Sequence, residues 1–139
     1  MTEVDFYILS EDSSDARQSF ACRLTDKAFK QGRRVYIHTA DEASAKHLDQ
    51  LLWDFRPQSF LPHCLASSTA DEPIVIGCSD SPGNHSDVLI NLALQVPDFV
   101  GRFERVTEVV TQAPEIREPL RQSARYYKDR GYPVKFNKL

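Results

Sequence analysis

The sequence predicts an α/β fold in which helices flank a mostly parallel, twisted β-sheet. Short runs of β-branched and aromatic residues alternate with apolar residues at helical spacing over the first 55 residues, and this is the pattern of βαβ units. The chain has 139 residues, of which 41% are hydrophobic and 27% charged, so it can bury one globular core. It has no internal repeat, low-complexity tract or linker. We therefore expect residues 1–139 to form a single α/β domain.

The first half of the chain predicts two strand–helix units. Val4–Leu9 is a short aromatic and β-branched strand, and Val35–Ile37 is a second. Between them, an apolar residue recurs at every fourth position along a helix that Gly32 ends. Asp41 is a candidate N-cap for the second helix. The first helix has the apolar stripe Ala16, Phe20, Leu24 and Ala28 and the candidate caps Ser13, Ser14 and Asp15, and the second has the core positions Ala45, Leu48, Leu51 and Leu52.

The second half predicts four more strands and one helix. The strands cover residues 63–66, 74–78, 87–94 and 103–110, with a loop at 66–73 and a turn signal at Ser81–Asn84. The helix runs from Glu118 to Arg130, because Pro119 suits a first helical position and Gly131 suits the end of a helix. Strands that alternate with helices favour a parallel sheet with right-handed connections.

Charge is distributed unevenly along the chain. The formal net charge is −3, from 17 basic and 20 acidic residues, which does not suit an independent nucleic-acid-binding protein. Residues 101–139 nevertheless contain nine basic residues against five acidic ones, so a local anionic partner is expected. The nine are Arg102, Arg105, Arg117, Arg121, Arg125, Lys128, Arg130, Lys135 and Lys138.

Cysteine content and hydropathy predict the compartment. The three cysteines, Cys22, Cys64 and Cys78, are few and odd in number, as in proteins of a reducing cytoplasm. No run approaches the ~18 apolar residues of a membrane helix, and the first residues are acidic where a secretory signal is basic. We therefore expect a cytoplasmic protein with no membrane contact.

The sequence lacks motifs for nucleotides, metals and covalent catalysis. No Walker loop or dinucleotide fingerprint occurs, and Ser10–Asp15, which follows the first strand, has three acids and no glycine. His63, Cys64, Cys78 and His85 lack the paired spacing of zinc ligands. His63 and Cys64 are neighbours on a strand and point to opposite faces, so they do not suit a nucleophile pair. We expect no catalytic residue, no metal and no cofactor.

The segment Leu51–His63 is rich in aromatic residues and contains two prolines. Helical spacing can bury Phe55, but it does not easily bury Trp53, Phe55 and Phe60 together. The segment is either a packed loop that covers the sheet edge or an exposed set of aromatic anchors, of the kind found at protein interfaces.

The last predicted helix has a basic face. Three basic residues fall on one side at helical spacing, and an apolar stripe lies next to them. No acid occurs between residues 120 and 128 to relieve their repulsion at i,i+4. The face is either ordinary solvated surface or a site for an acidic peptide with a hydrophobic anchor. The basic residues are Arg121, Arg125 and Lys128, and the apolar ones are Leu120, Ala124 and Tyr127.

Several short motifs are spread from one end of the chain to the other. They are Phe6-Tyr7-Ile8-Leu9, Gly32-Arg33-Arg34-Val35, Leu48-Asp49-x-x-Leu52-Trp53, Ser59-Phe60-Leu61-Pro62-His63, Asp87-Val88-Leu89-Ile90-Asn91-Leu92, Thr107-Glu108-Val109-Val110 and Gly131-Tyr132. The most specific is the Leu-Trp pair followed, at the right separation, by Ser-Phe-Leu-Pro-His. Together the motifs resemble the chi subunit family of the bacterial DNA polymerase III holoenzyme.

The resemblance implies a Rossmann-like (nucleotide-binding-like) fold without a nucleotide site, and a non-catalytic accessory subunit of the replicative DNA polymerase. It implies two partners: the psi subunit of the clamp-loader complex, in a heterodimer, and the acidic C-terminal tail of single-stranded DNA-binding protein, through which DNA is reached indirectly. The implied psi surface consists of Trp53, Phe60, Pro62 and His63. The implied tail site consists of Arg121, Arg125, Tyr127 and Lys128.

An arginine of this helix can bind the terminal carboxylate of the tail through a forked pair of hydrogen bonds, while the aromatic end group fills the apolar seam. Such contacts predict a salt-sensitive affinity of roughly micromolar order. Because single-stranded DNA-binding protein presents several tails, their effective concentration strengthens the overall binding. The alternative is a small α/β enzyme that binds a nucleotide or phosphate through the C-terminal arginines, and the acidic loop after the first strand disfavours it. The sequence leaves open the strand order, the oligomeric state, the principal arginine and whether a helicase competes with psi.

Overall fold

In the computed structural model, which describes residues 2–55, 61–66, 72–79 and 82–139, seven parallel strands form one sheet, and the predicted α/β class is confirmed. The strands are β1 Glu3–Ile8, β2 Val35–His38, β3 His63–Leu65, β4 Ile74–Gly77, β5 Val88–Asn91, β6 Arg105–Val110 and β7 Val134–Lys138. The α-helices are α1 Ser14–Lys30, α2 Glu42–Asp54 and α3 Pro114–Asp129, and a 3-10 turn covers Val100–Arg102. The strand order in the sheet is β3-β4-β2-β5-β6-β1-β7.

Helices cover both faces of the sheet, because alternate residues of each strand point to opposite sides. On β2, Val35 and Ile37 join the core beneath α1 and α2, whereas Tyr36 joins the core beneath α3. The α3 side is completed by Leu120 and the fully buried Tyr127. No helix among the described residues is long and apolar enough to span a membrane.

Glycine ends two of the helices as the sequence predicts. Gly32 follows α1 with φ +78°, and Gly131 follows α3 with φ +83°, a conformation that favours glycine. The N–H of Arg33 then donates to the carbonyl of Ala28 at 3.0 Å, and the N–H of Tyr132 donates to the carbonyl of Tyr127 at 3.0 Å. Both ends therefore form the Schellman arrangement, which redirects the chain into the next strand.

The main differences from the sequence prediction concern α3, β5 and β7. Helix α3 begins at Pro114, and Pro119 lies inside it rather than at its start. The prediction was wrong because two prolines fit a first turn, and only the earlier one occupies it. Strand β7 was not predicted, and β5 is shorter than residues 87–94. The predicted loop at 66–73 and turn at Ser81–Asn84 lie partly outside the described residues.

Candidate functional site

A groove of about 970 Å³ lies between α3 and the β1–β7 end of the sheet. Its floor is apolar and its rim is basic, and Asp129 is the acidic residue among those that line it. The apolar lining residues include Phe6, Ile8, Val110, Leu120, Ala124 and Phe136, and the basic ones are Arg117, Arg121, Arg125, Lys128 and Lys138. The groove therefore offers positive charge around a hydrophobic surface.

The floor of the groove is formed by side chains of β1 and β7 that point to the same face of the sheet. Phe6 of β1 and Phe136 of β7 are direct register partners, and their ring centroids lie 5.4 Å apart. Phe6 is fully buried, whereas Phe136 at the sheet edge is 45% exposed. An aromatic surface of this kind can accept an apolar or aromatic group from a ligand.

The three rim residues of α3 that the sequence singles out differ in their contacts. Arg121 forms an i,i+3 ion pair with Glu118, with 3.5 Å between Nη1 and Oε1. Glu118 lies just before the acid-free segment, and it relieves the repulsion at Arg121 through i,i+3 spacing rather than the i,i+4 spacing considered above. Lys128 Nζ lies 4.9 Å from the centroid of the Phe136 ring, a cation–π contact. Arg125 makes no ion pair with any residue that the structure describes.

Tyr127 does not reach the groove. It is fully buried, and its hydroxyl donates a hydrogen bond of 2.6 Å to Glu108 Oε2. The Tyr127 ring packs into the core and anchors α3, and its place in a tail site stays a prediction. Helical spacing places Tyr127 with Leu120 and Ala124 on the apolar stripe beside the basic face, and its burial agrees with that position.

Glu108 is the centre of a buried polar cluster behind α3. Asn91 Nδ2 donates to the same Glu108 oxygen at 3.0 Å, and Arg17 adds a favourable charge from α1. Burial raises the pKa of Glu108 from 4.5 to about 7, against the lowering effect of those partners. Burial also lowers the pKa of Arg17, whose guanidinium donates to the carbonyl of Val109 at 2.8 Å. The cluster joins β5, β6, α1 and α3 and is buried from solvent.

A second candidate surface surrounds Trp53 at the end of α2. The Trp53 side chain is half exposed, and its ring centroid lies 4.5 Å from that of His63. The His63 imidazole is buried between backbone oxygens, with Nδ1 at 2.6 Å from Leu61 O and Nε2 at 3.2 Å from Asp49 O. The buried His63 ring supports Trp53 from below, and the role of His63 in a psi surface stays a prediction.

The other residues of the aromatic segment Leu51–His63 also differ in their exposure. Pro62 is partly exposed, and Phe55 packs against the core beneath α2. Phe60 lies outside the described residues. Of the implied psi-binding residues that the structure describes, Trp53 and Pro62 are thus the ones available to a partner.

Residues of the groove that the sequence did not assign come mainly from the strands. Phe6, Ile8, Phe136 and Lys138 are brought together by the pairing of β1 with β7. A signal for β7 was present, since apolar Val134 and Phe136 alternate with polar residues after Gly131. Nothing in the sequence, however, indicated that this strand lies beside the first one.

At the carboxyl end of β1, where phosphate-binding loops lie in related folds, the chain continues through Leu9 and Ser10 to exposed acidic residues. The N–H of Gln112 donates to the carbonyl of Glu11 at 2.9 Å, and its side chain donates to the carbonyl of Leu9 at 3.0 Å. Among the described residues, no three His, Cys, Asp or Glu side chains meet as metal ligands would.

Fold and site define a class: a Rossmann-like α/β protein with a groove beside a basic helix rather than above a glycine-rich phosphate loop. The chain belongs to the family described as DNA polymerase III chi subunit, HolC, whose model matches residues 1–135. Family membership makes the chain an accessory subunit of DNA replication, and the resemblance inferred from the sequence motifs is confirmed.

Curated relatives agree with the family model. The chain is 47% identical over 139 residues to the DNA polymerase III subunit chi of Pseudomonas aeruginosa, covering 100% of this chain and 98% of the relative. It is 28% identical over 130 residues to that of Haemophilus influenzae, with coverage of 91% and 90%. It is 27% identical over 139 residues to that of Escherichia coli, with 95% of each chain covered.

Proposed function

We propose that this chain is a non-catalytic bridging subunit of the bacterial replicase. It binds the acidic C-terminal tail of single-stranded DNA-binding protein in the groove and binds the psi subunit at the Trp53 surface. The observation that supports tail binding most directly is the groove itself, which surrounds an apolar floor with five basic side chains. In this proposal the chain works in the cytoplasm, without a cofactor, as one domain over residues 1–139, and reaches DNA only through the tail.

The tail binds by charge at its carboxylates and by burial of its end group. An arginine fork can hold the terminal carboxylate with two parallel hydrogen bonds, and Arg125 is the better candidate because Glu118 already partly neutralises Arg121. The terminal apolar side chain then lies on Phe136 and Ala124, which line the groove between the basic residues. Screening of these exposed charges makes the affinity fall as salt rises.

The psi subunit binds at a separate surface built on α2. Trp53 is the exposed anchor, and Pro62 lies next to His63, whose buried ring fixes the tryptophan from below. Phe60 is included in the proposed surface from the family resemblance. Half-exposed aromatic anchors of this type dominate the binding energy of many interfaces.

Tail binding is tested with a fluorescent acidic peptide that ends in phenylalanine with a free carboxylate, titrated at low and high salt. We expect Arg125→Ala to weaken binding by about tenfold and Arg121→Ala by less, because removing one carboxylate fork costs on the order of 1.4 kcal/mol or more. Arg130→Ala is the matched control, since this arginine lies over the Tyr126 ring and does not line the groove. Absence of binding by folded wild-type protein would refute tail recognition by the groove.

A further inference from the structure

Strand β7 is the edge strand at one end of the sheet, and no strand of the described residues pairs with its outer side. The Val4 N–H donates to the carbonyl of Pro133 at 3.0 Å, and the Leu139 N–H donates to the carbonyl of Ile8 at 3.0 Å. Odd-numbered residues of this segment therefore bond to β1. In a parallel ladder the alternate residues face the other way, so Phe136 and Lys138 direct their N–H and C=O groups outward.

The same two residues also line the groove. Phe136 and Lys138 place their side chains on the α3 side of the sheet, and both belong to the groove lining. A chain that paired with the outer side of β7 would project every second side chain onto that face. The open edge and the groove are thus one continuous surface, which an extended peptide can cover.

Charge decides which kind of strand this edge accepts. Lys135 and Lys138 lie on β7, and Lys128 lies over the Phe136 ring. Lysines on an edge strand oppose pairing between copies of the same chain. The same positive charge attracts an acidic strand. Among the described residues that line the groove, five are basic and Asp129 is acidic.

We propose that an acidic peptide bound in the groove adds to β7 as an eighth strand, through main-chain hydrogen bonds to Phe136 and Lys138. This inference rests on the proposed function and names the way in which the groove recognises its ligand. Main-chain pairing supplies affinity that does not depend on the peptide's side chains, whereas the groove selects the alternate side chains.

Amide hydrogen exchange of the full chain tests the added strand, with the acidic, phenylalanine-terminated peptide as the probe. At saturation we expect exchange at Phe136 and Lys138 to slow by at least about tenfold. The amides of Lys135 and Asn137 are the internal controls, because they already face β1 and should change little. If the peptide binds but the amides of Phe136 and Lys138 are not selectively protected, the proposal of an added strand is wrong.

A second test uses the peptide instead of the protein. N-methylation of one residue at a time removes single donors, and only residues of one parity can face β7. We expect methylation at two alternate positions to weaken binding at least tenfold and methylation at the position between them to leave it nearly unchanged. Equal effects at all positions refute strand addition but leave the proposed function standing, whereas failure of the unmodified peptide to bind overturns both.

Discussion

Glu108 is the residue that links the sheet to α3. Its carboxylate accepts hydrogen bonds from Asn91 and Tyr127, and Arg17 supplies a charge from the opposite face. Its second oxygen, Oε1, has no hydrogen-bond partner among the described residues. A buried carboxyl group that accepts hydrogen bonds at just one of its two oxygens is more stable when protonated. This agrees with the pKa of Glu108, which burial raises to about 7.

This raised pKa predicts the direction in which stability changes with pH. Between pH 4.5 and about 7 the folded protein holds a proton on Glu108 that the unfolded chain releases. The free energy of unfolding contributed by this group is therefore largest below pH 4.5 and falls as pH rises through 7, by at most ~1.4 kcal/mol per pH unit.

Urea unfolding of Glu108→Gln at pH 5, 6, 7 and 8 measures this contribution. We expect a flatter pH dependence than in wild type, because glutamine cannot titrate. Glu104→Gln is the control, since Glu104 is an exposed residue that pairs with Arg33 at 3.2 Å, and it should retain the wild-type slope between pH 5 and 8. Parallel curves for Glu108→Gln and wild type would contradict the role of Glu108.

At the scale of single elements, the first turns of α1 and α2 differ in capping. Asp41 Oδ1 accepts a hydrogen bond of 2.7 Å from the Ser44 N–H, which also lowers the pKa of Asp41. Ser13 occupies the same position before α1 but makes no side-chain capping bond. The two caps look equivalent in sequence and are not equivalent in structure.

We therefore expect Asp41→Ala to lower the midpoint of thermal unfolding by a few degrees and Ser13→Ala to leave it unchanged. Thermal melts followed by circular dichroism at pH 7 measure both. An equal loss in the two variants would show that the observed bond to Ser44 does not stabilise α2.

Most helices and strands could be predicted from local sequence patterns, whereas the floor of the groove could not. Apolar spacing and glycine positions are local signals, so the first six strands and all three helices were predicted, with an error at the start of α3. The basic face of α3 was predicted for the same reason, because Arg121, Arg125 and Lys128 repeat at helical spacing. The floor of the groove was not, because Phe6 and Phe136 meet only through pairing between distant strands.

The buried members of the predicted sites show a second limit of the sequence. The family resemblance assigns His63 to the psi surface and Tyr127 to the tail site. Both side chains are buried: the His63 ring contacts the exposed Trp53 ring, whereas the Tyr127 hydroxyl donates to the buried Glu108. Adjacent residues on a helix or strand face different directions, so a motif contains both surface and supporting residues.

At the scale of the whole molecule, the two candidate surfaces lie on helices that cover opposite faces of the sheet. Trp53 is on α2, above the core that includes Leu48 and Leu52, and the groove adjoins α3, above the core that includes Leu120. The proposed bridging role needs surfaces that two partners can occupy at once, and this separation is compatible with it.

We therefore expect the two binding activities to be independent. Trp53→Ala should weaken co-purification with psi and leave the affinity for the acidic peptide within about twofold of wild type, because sites without shared contacts are usually additive. Arg125→Ala should show the reverse pattern. Titration of the peptide against the free chain and against the psi complex measures the coupling between the two sites. Competition between the two ligands would contradict their independence.

The position of β1 has a consequence for how the protein is made. Its only neighbours in the described sheet are β6 and β7, both from the last third of the chain. At a synthesis rate of about 5–20 residues per second, roughly 5–20 seconds pass on the ribosome before β6 exists to receive it. Throughout that interval the nascent chain holds an aromatic strand with two open edges, so shielding by a chaperone near the ribosomal exit matters more for this fold than for one whose strands pair in order.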